Sequence, residues 1–110
     1  MNKNIYIRET TPEDSTMIAS FMKEHWGGEP LVIRGENFYP SKLNGIIAQL
    51  NEKLMGFVFY DIQGTDCEII VFEVFEKFKG LGTQLLYLVK DLAIRKKCKR
   101  IFLMTRKYPF

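Results

Sequence analysis

Segment 75–83 contains the residue types best suited to chemistry. Gly80 and Gly82 lie in a turn between an apolar strand pattern and a helical pattern, and Lys77 and Lys79 add positive charge. The first amides of a helix have no internal acceptor and lie at the positive end of the helix dipole. The segment therefore predicts a binding site for a phosphate group, with an ordinary tight turn as the alternative.

Two common phosphate-binding motifs do not fit this segment. A Walker A loop ends in Gly-Lys-Ser/Thr, whereas Gly82 is followed here by Thr83 and Gln84. A dinucleotide-binding fingerprint needs a third glycine at the position where this chain has Leu85. Both motifs are therefore excluded.

A third pattern does match. Segment 77–82, Lys-Phe-Lys-Gly-Leu-Gly, resembles the Gln/Arg-x-x-Gly-x-Gly/Ala signature of the GCN5-related N-acetyltransferases, with lysine at the first position. Segments 67–70 and 83–86 resemble the strand and the helix that flank this signature, and segment 7–14 resembles the family's first strand and helix cap. Similarity to one bacterial subgroup lies in segments 25–27, 34–35, 54–57 and 98–101.

The resemblance implies a transferase that uses acetyl-CoA as cosubstrate. In such a protein the pantetheine arm lies beside strand 67–75 like an added strand, and the pyrophosphate sits on the amides of 79–83. A primary amine attacks the thioester directly, and a main-chain amide near Glu73 or Val74 stabilises the developing oxyanion. The residues assigned to cofactor binding are Phe75, Lys77, Lys79, Gly80, Leu81, Gly82 and Thr83.

Three further side chains are candidates for the acceptor side of this site. Glu73 is a carboxylate in an otherwise apolar strand and is the candidate general base, with a surface carboxylate on the strand's outer face as the alternative. Trp26, next to His25, is a candidate substrate contact, or the pair closes a helix end. Arg34 is a candidate for binding an acidic substrate group, or is a solvated loop charge. Because His25 is the single histidine, we expect no metal site.

The elements predicted from periodicity would bring these residues together. Segment 4–9 alternates like a strand, and Thr11, Pro12 and Asp14 have the spacing of a helix cap. Further strands are predicted over 43–49, 54–60, 67–75 and 100–105, a second helix begins near 81, and 31–33 is either a short strand or a loop wall. The order β-α-β-β-β-α-β predicts an α/β (α+β) three-layer α-β-α domain, with a mixed, mostly antiparallel sheet and a parallel last pair.

Composition limits the remaining possibilities. The chain has 110 residues, 46% hydrophobic and 26% charged, which suits a single domain spanning 1–110. A net charge of +3 favours an anionic ligand only mildly, and the basic segment 95–100 suits a solvated helix end better than nucleic acid. Cys67 and Cys98 form no disulfide framework, and no apolar run is long enough for a signal peptide or a membrane span. We therefore expect a cytoplasmic protein with neither a nucleic-acid nor a membrane partner.

The end of the chain departs from the family pattern. Relatives continue after the strand that ends at Thr105 with a helix whose tyrosine is proposed as general acid, so the chain resembles a C-terminally truncated member. Tyr108 does not lie in that motif and receives no acid role. The leading hypothesis is an N-acetyltransferase acting on an unidentified amine, and the alternative is a non-catalytic acyl-CoA-binding or assembly module. The apolar edge 101–104 would be uncovered, which predicts a homodimer.

Overall fold

The computed structural model describes residues 5–75 and 80–103. The two helices are α1 (Ser15–Trp26) and α2 (Leu81–Arg95), and short 3-10 turns cover Pro12–Asp14 and Pro40–Lys42. The strands are β1 (Tyr6–Glu9), β2 (Leu31–Ile33), β3 (Glu36–Phe38), β4 (Asn44–Leu50), β5 (Lys53–Gln63), β6 (Asp66–Val74) and β7 (Arg100–Leu103). Neither helix of the described ranges is long and apolar enough to cross a bilayer.

Five strands form one mixed sheet in the order β1-β4-β5-β6-β7. Neighbours are antiparallel except β6 and β7, which run parallel and are connected by α2. The predicted fold class, with its antiparallel meander and parallel last pair, is confirmed. The short loop Asn51-Glu52 between β4 and β5 has positive φ at both residues, as a two-residue hairpin turn requires.

A separate hairpin of β2 and β3 was not predicted in full. Its strands have three residues each, too few to show an alternating pattern, and its turn places Arg34 at φ 54° and Gly35 at φ 77°. Glycine signals such a turn, whereas arginine does not. Leu31–Ile33, predicted as either a short strand or a loop wall, is therefore one strand of a pair, and Glu36–Phe38 is its unpredicted partner.

Each face of the large sheet buries one helix. The apolar stripe of α2, with Leu85, Val89 and Leu92 fully buried, packs on one face against residues such as Val58 and Cys67. The α1 residues pack on the other face, together with Ile47, Phe57, Phe59 and Val71, and the buried members of α1 are Ile18 and Met22. This three-layer arrangement of α1, sheet and α2 positions the end of α1 and the start of α2 beside the end of β6.

The start of α1 is fixed by the predicted cap. The Thr11 N–H donates to Asp14 Oδ2 at 2.7 Å, and the Arg8 guanidinium donates to both carboxylate oxygens of Asp14 at 2.8 and 2.9 Å. The Arg8 guanidinium, with the Thr11 N–H, lowers the pKa of Asp14 from 3.8 to about 2, against the opposing effect of burial. Strand β1 and the first helix are thus joined through one nearly buried carboxylate.

Candidate functional site

A β-bulge in β6 decides which way its acidic residues face. Phe59 pairs with Val71 and Tyr60 pairs with Ile69, so Ile70 has no partner in β5. Ile69 packs on the α2 side, whereas Ile70 packs against β2 and β3 and Val71 packs against α1. Two successive side chains therefore share one face, and the alternation after the bulge is reversed.

The reversed alternation places Glu73 on the α1 side, where it meets Trp26. The indole N–H of Trp26 donates to Glu73 Oε1 at 3.1 Å, and both side chains are half-buried. Among the described residues, Trp26 is the hydrogen-bond partner found for this carboxylate, and it engages one oxygen. The candidate base and the candidate substrate contact are thus brought together, a pairing that sequence reasoning did not predict.

Aromatic rings surround this pair at the end of α1. Phe21 stacks on His25 with a centroid distance of 4.1 Å, and Phe75 lies 5.1 Å from Phe21 and 6.1 Å from His25. Phe57 closes the cluster at 5.6 Å from Phe75. The ring of Phe75, assigned above to the cofactor, therefore lies in the aromatic cluster on the α1 side. In the sequence, the pair His25-Trp26 at a helix end indicated part of this cluster. Sequence reasoning did not predict that Phe21 and Phe57 belong to it.

The start of α2 lies next to the end of the same strand. Gly80 caps the helix with φ 84°, and its carbonyl accepts the N–H of Gln84 at 2.9 Å. The amides of Leu81, Gly82 and Thr83 precede that first helical hydrogen bond, so they are the free N–H donors expected of a helix start. Lys77 and Lys79, predicted to assist them, lie outside the described residues.

The two glycines of this turn have different roles. A Cβ on Gly80 would meet nothing within 4 Å, so glycine is needed there for the left-handed conformation. A Cβ on Gly82 would lie 3.4 Å from Phe72 Cζ and 3.6 Å from Val74 Cγ2, which is ordinary contact. Gly82 therefore tolerates a methyl group but leaves little room between α2 and β6 for anything larger.

Strand β6 has an unpaired edge between these two features. Its parallel pairing with β7 runs from Asp66–Arg100 to Ile69–Leu103, whereas β6 continues to Val74. Beyond Ile69, the described residues provide no strand on that side of β6. The Phe75 N–H donates to Met55 O in β5 at 2.9 Å, so by alternation the main-chain groups of Phe72 and Val74 point to the unpaired edge.

Arg34 lies elsewhere, in an ion pair with β6. Its guanidinium donates to both oxygens of Glu68, each at 2.8 Å, and this raises the pKa of Arg34. Although Glu68 lies near the start of β6, close to the β5–β6 turn, it is only 7% exposed. The reason is the β2–β3 hairpin, which covers this part of β6 and brings the guanidinium to the carboxylate. The structure does not bring Arg34 together with Trp26 and Glu73.

Neither cysteine thiol belongs to this site. Cys67 is buried in the core against α2, where burial raises its pKa to about 11, and Cys98 is half-buried. Both agree with the prediction of free structural thiols. Within the described ranges, no three His, Cys, Asp or Glu side chains converge as metal ligands.

The site thus has two parts: a strand open beyond its parallel pairing, and the free amides of a helix start beside the end of that strand. A model of the Acetyltransferase (GNAT) family matches residues 6–108, nearly the whole chain. The chain therefore belongs to the GNAT acetyltransferase family.

Two curated relatives come from Bacillus subtilis (strain 168). The uncharacterized protein YdhI is 37% identical over 91 residues, which are 81% of this chain and 56% of that protein. The uncharacterized protein YxbD is 29% identical over 96 residues, which are 86% of this chain and 58% of that protein. The chain thus spans a little over half the length of the curated relatives it matches.

Solved structures show the same fold at low identity. Ribosomal-protein-alanine N-acetyltransferase from Brucella melitensis biovar Abortus 2308 superposes with a TM-score of 0.70 at 19% identity, covering 96% of this chain and 82% of that one. The aminoglycoside N-acetyltransferase AAC(6')-Iy, in complex with CoA, gives 0.67 at 16%, covering 99% and 80%. A predicted acetyltransferase from Clostridium acetobutylicum, with acetyl-CoA, gives 0.67 at 15%, covering 94% and 82%. At these identities the likeness concerns the fold.

Proposed function

We propose that this protein binds acetyl-CoA and transfers its acetyl group to a primary amine. The observation that carries the proposal is the position of the unpaired edge of β6, which ends where the free amides of α2 begin. A pantetheine arm can extend the sheet along residues 70–74, as a peptide strand would. Its pyrophosphate then reaches the amides of Gly80 to Thr83.

The reaction needs one proton acceptor and one oxyanion donor. Glu73 takes a proton from the ammonium, the amine nitrogen attacks the thioester carbonyl carbon, and the C–N bond forms as the C–S bond breaks. The attacking nitrogen loses its second proton as the amide forms, and the leaving thiolate of coenzyme A takes up that proton, directly or through water. Of the two amides suggested by the sequence, that of Val74 points to the unpaired edge, so it is the better oxyanion donor.

The cofactor site is tested by a substitution that should repel phosphate without destabilising α2. Thr83→Asp places a carboxylate in the first turn of α2, where the helix dipole stabilises it, so we expect the fold to persist. The same carboxylate repels a diphosphate, and we expect acetyl-CoA affinity measured by calorimetry to fall at least about tenfold. Thr65→Asp, exposed in the β5–β6 turn at the other end of β6, is the matched control. Equal affinity in both variants would exclude the α2 start as the pyrophosphate site.

The catalytic role is tested separately by Glu73→Gln. This variant retains an oxygen that accepts from Trp26 but cannot take a proton, so we expect thiol release with an amine panel to fall about 100-fold while acetyl-CoA still binds. Glu24→Gln, on an exposed side chain two residues before Trp26, should change neither quantity. Acetyl-CoA binding without acetyl transfer to any amine in the wild type would indicate the non-catalytic acyl-CoA-binding module instead.

We also propose a homodimer formed through β7. Within the described residues β7 is an edge strand of the sheet, and its side chains Ile101 and Leu103 are 36% and 49% exposed. They adjoin an apolar groove of about 370 Å³ that extends to Tyr87 on α2. A second copy of β7 satisfies both the free main-chain groups and the exposed side chains.

A further inference from the structure

Two contacts connect the last turn of α1 with the end of β6. Trp26 donates to Glu73, and the ring of His25 lies 6.1 Å from that of Phe75. Glu73 and Phe75 lie two residues apart, so they share a face of the extended chain about 7 Å apart. A carboxylate and an aromatic platform therefore lie side by side, and the side chain of His25 is 50% exposed at their rim.

The other carboxylates at this end of the described chain are exposed or already engaged. Glu29 is held by the amide and hydroxyl of Ser41, Glu24 lies 3.9 Å from His25 but is 77% exposed, and Glu52 is exposed in the β4–β5 turn. The larger acidic group, which includes Asp66 and Glu68, lies at the other end of β6, where Arg100 and Arg34 already neutralise those two. Ion pairs with exposed carboxylates contribute little. Among the described residues, the further charges of a polycation bound at Glu73 would therefore gain only weak, solvent-screened partners.

We propose that the acceptor is a monoamine with an apolar, aromatic body. Its ammonium group binds to Glu73, and its ring lies on the cluster formed by Phe21, His25 and Phe75. The carboxylate supplies a charge-assisted hydrogen bond to the ammonium, and the ring faces contact the apolar body. This inference rests on the proposed function, and it selects an acceptor class different from the aminoglycosides of some structural neighbours.

Trp26 allows acceptor binding to be measured without catalysis. It is the single tryptophan of the chain and it contacts Glu73 directly, so its fluorescence reports on a ligand at that carboxylate. We would titrate the full chain with 2-phenylethylamine, methylamine and kanamycin, with and without saturating coenzyme A, and repeat each titration by calorimetry. We expect 2-phenylethylamine to bind at least about tenfold more tightly than methylamine, because its ring buries apolar area. Kanamycin should bind more weakly than 2-phenylethylamine, since its further ammonium groups lose water and gain only weak, solvent-screened partners.

Two variants identify the side chains responsible. Glu73→Gln should weaken 2-phenylethylamine binding about 10- to 100-fold, whereas Glu24→Gln leaves it unchanged. Phe75→Leu should reduce the preference for 2-phenylethylamine over methylamine without weakening methylamine binding.

Three results would overturn the inference: kanamycin binding as tightly as 2-phenylethylamine, no difference between the two monoamines, or no amine binding by calorimetry. The proposed function would fail in a different way, through the absence of acetyl-CoA binding or of acetyl transfer to any amine. The amine titrations without coenzyme A require neither acetyl-CoA binding nor acetyl transfer, so the two failures are distinguishable.

Discussion

Glu68 and Glu73 lie five residues apart in β6, yet both face the α1 side of the sheet. In a regular strand an odd separation would put them on opposite faces. The extra residue Ile70 removes that difference, so that Glu68 meets Arg34 and Glu73 meets Trp26. Without the bulge, Glu73 would point into the apolar layer under α2, where an unpaired carboxylate is costly. A single unpaired strand residue thus turns Glu73, the proposed base, towards Trp26.

A second carboxylate, Asp14, leads to a prediction about pH. Because its folded-state pKa of about 2 lies below the ordinary 3.8, folding favours the ionised form. Its contribution to stability is complete above about pH 4 and is lost as the pH falls towards 2. We expect Arg8→Gln to lower the free energy of unfolding at pH 7 by about 1–3 kcal/mol, since hydrogen bonds to a charged group are removed.

The measurement is a series of urea unfolding curves between pH 7 and pH 2. The stability difference between the wild type and Arg8→Gln should stay constant down to about pH 4 and then shrink. Lys23→Gln, at an exposed position of α1, controls for the loss of one positive charge. A difference that is independent of pH down to 2 would show that Asp14 is not the partner responsible.

At the scale of elements, the Arg34–Glu68 ion pair and a small apolar cluster attach the β2–β3 hairpin to the sheet. Arg34 lies in its turn and reaches Glu68, while Ile33 and Phe38 pack on Ile70. The cluster is small, so the buried carboxylate and its guanidinium determine much of the hairpin's position. Arg34 is therefore better explained as a structural residue than as a contact for an acidic substrate.

We expect Arg34→Met to lower the melting temperature by about 5 °C, since it leaves the Glu68 carboxylate covered without this cation. The double variant Arg34→Met/Glu68→Leu should recover part of that loss, because no covered charge then remains. Thermal unfolding followed by circular dichroism measures both. Acetyl transfer by Arg34→Met, assayed well below its melting temperature, should be close to wild type. A change in KM for the amine without a loss of stability would instead support the substrate-binding hypothesis.

How far the sequence predicts these elements depends on their length and on local signals. The start of α2 near residue 81 and the cap at Thr11 and Asp14 depend on local patterns, and both were predicted at the right residues. The β2–β3 hairpin was missed because strands of three residues carry no periodic signal. The bulge at Ile70 depends on pairing with β5, so the orientation of Glu73 towards Trp26 could not be read from β6 alone. The glycine turn that opens α2 was predictable because the glycine spacing and the strand-to-helix change are both visible in the sequence.

At the scale of the whole molecule, the sheet has two different ends. One end brings together the C-terminal end of α1, the N-terminal end of α2 and the unpaired edge of β6. The other end carries the acidic group and its arginines, with Arg100 donating to Asp66 at 2.9 Å. The two edges of the sheet differ as well, since β1 is polar in part whereas β7 adjoins the apolar groove on α2. This difference between the edges leads to the last prediction.

We expect the protein to be a dimer at micromolar concentrations, with β7 against its symmetry copy. Leu103→Lys places a charge where two identical strands would meet, and like charges there repel, so it should shift the chain to a monomer while the melting temperature of the monomer changes little. Tyr6→Lys is the matched control, because Tyr6 is 64% exposed on β1 at the opposite edge of the same sheet. Sedimentation equilibrium over a concentration series gives the mass directly. A wild type that remains monomeric throughout the series, or a Tyr6→Lys variant that dissociates as Leu103→Lys does, would contradict pairing through β7, because the apolar groove that a second copy would cover adjoins β7 and not Tyr6.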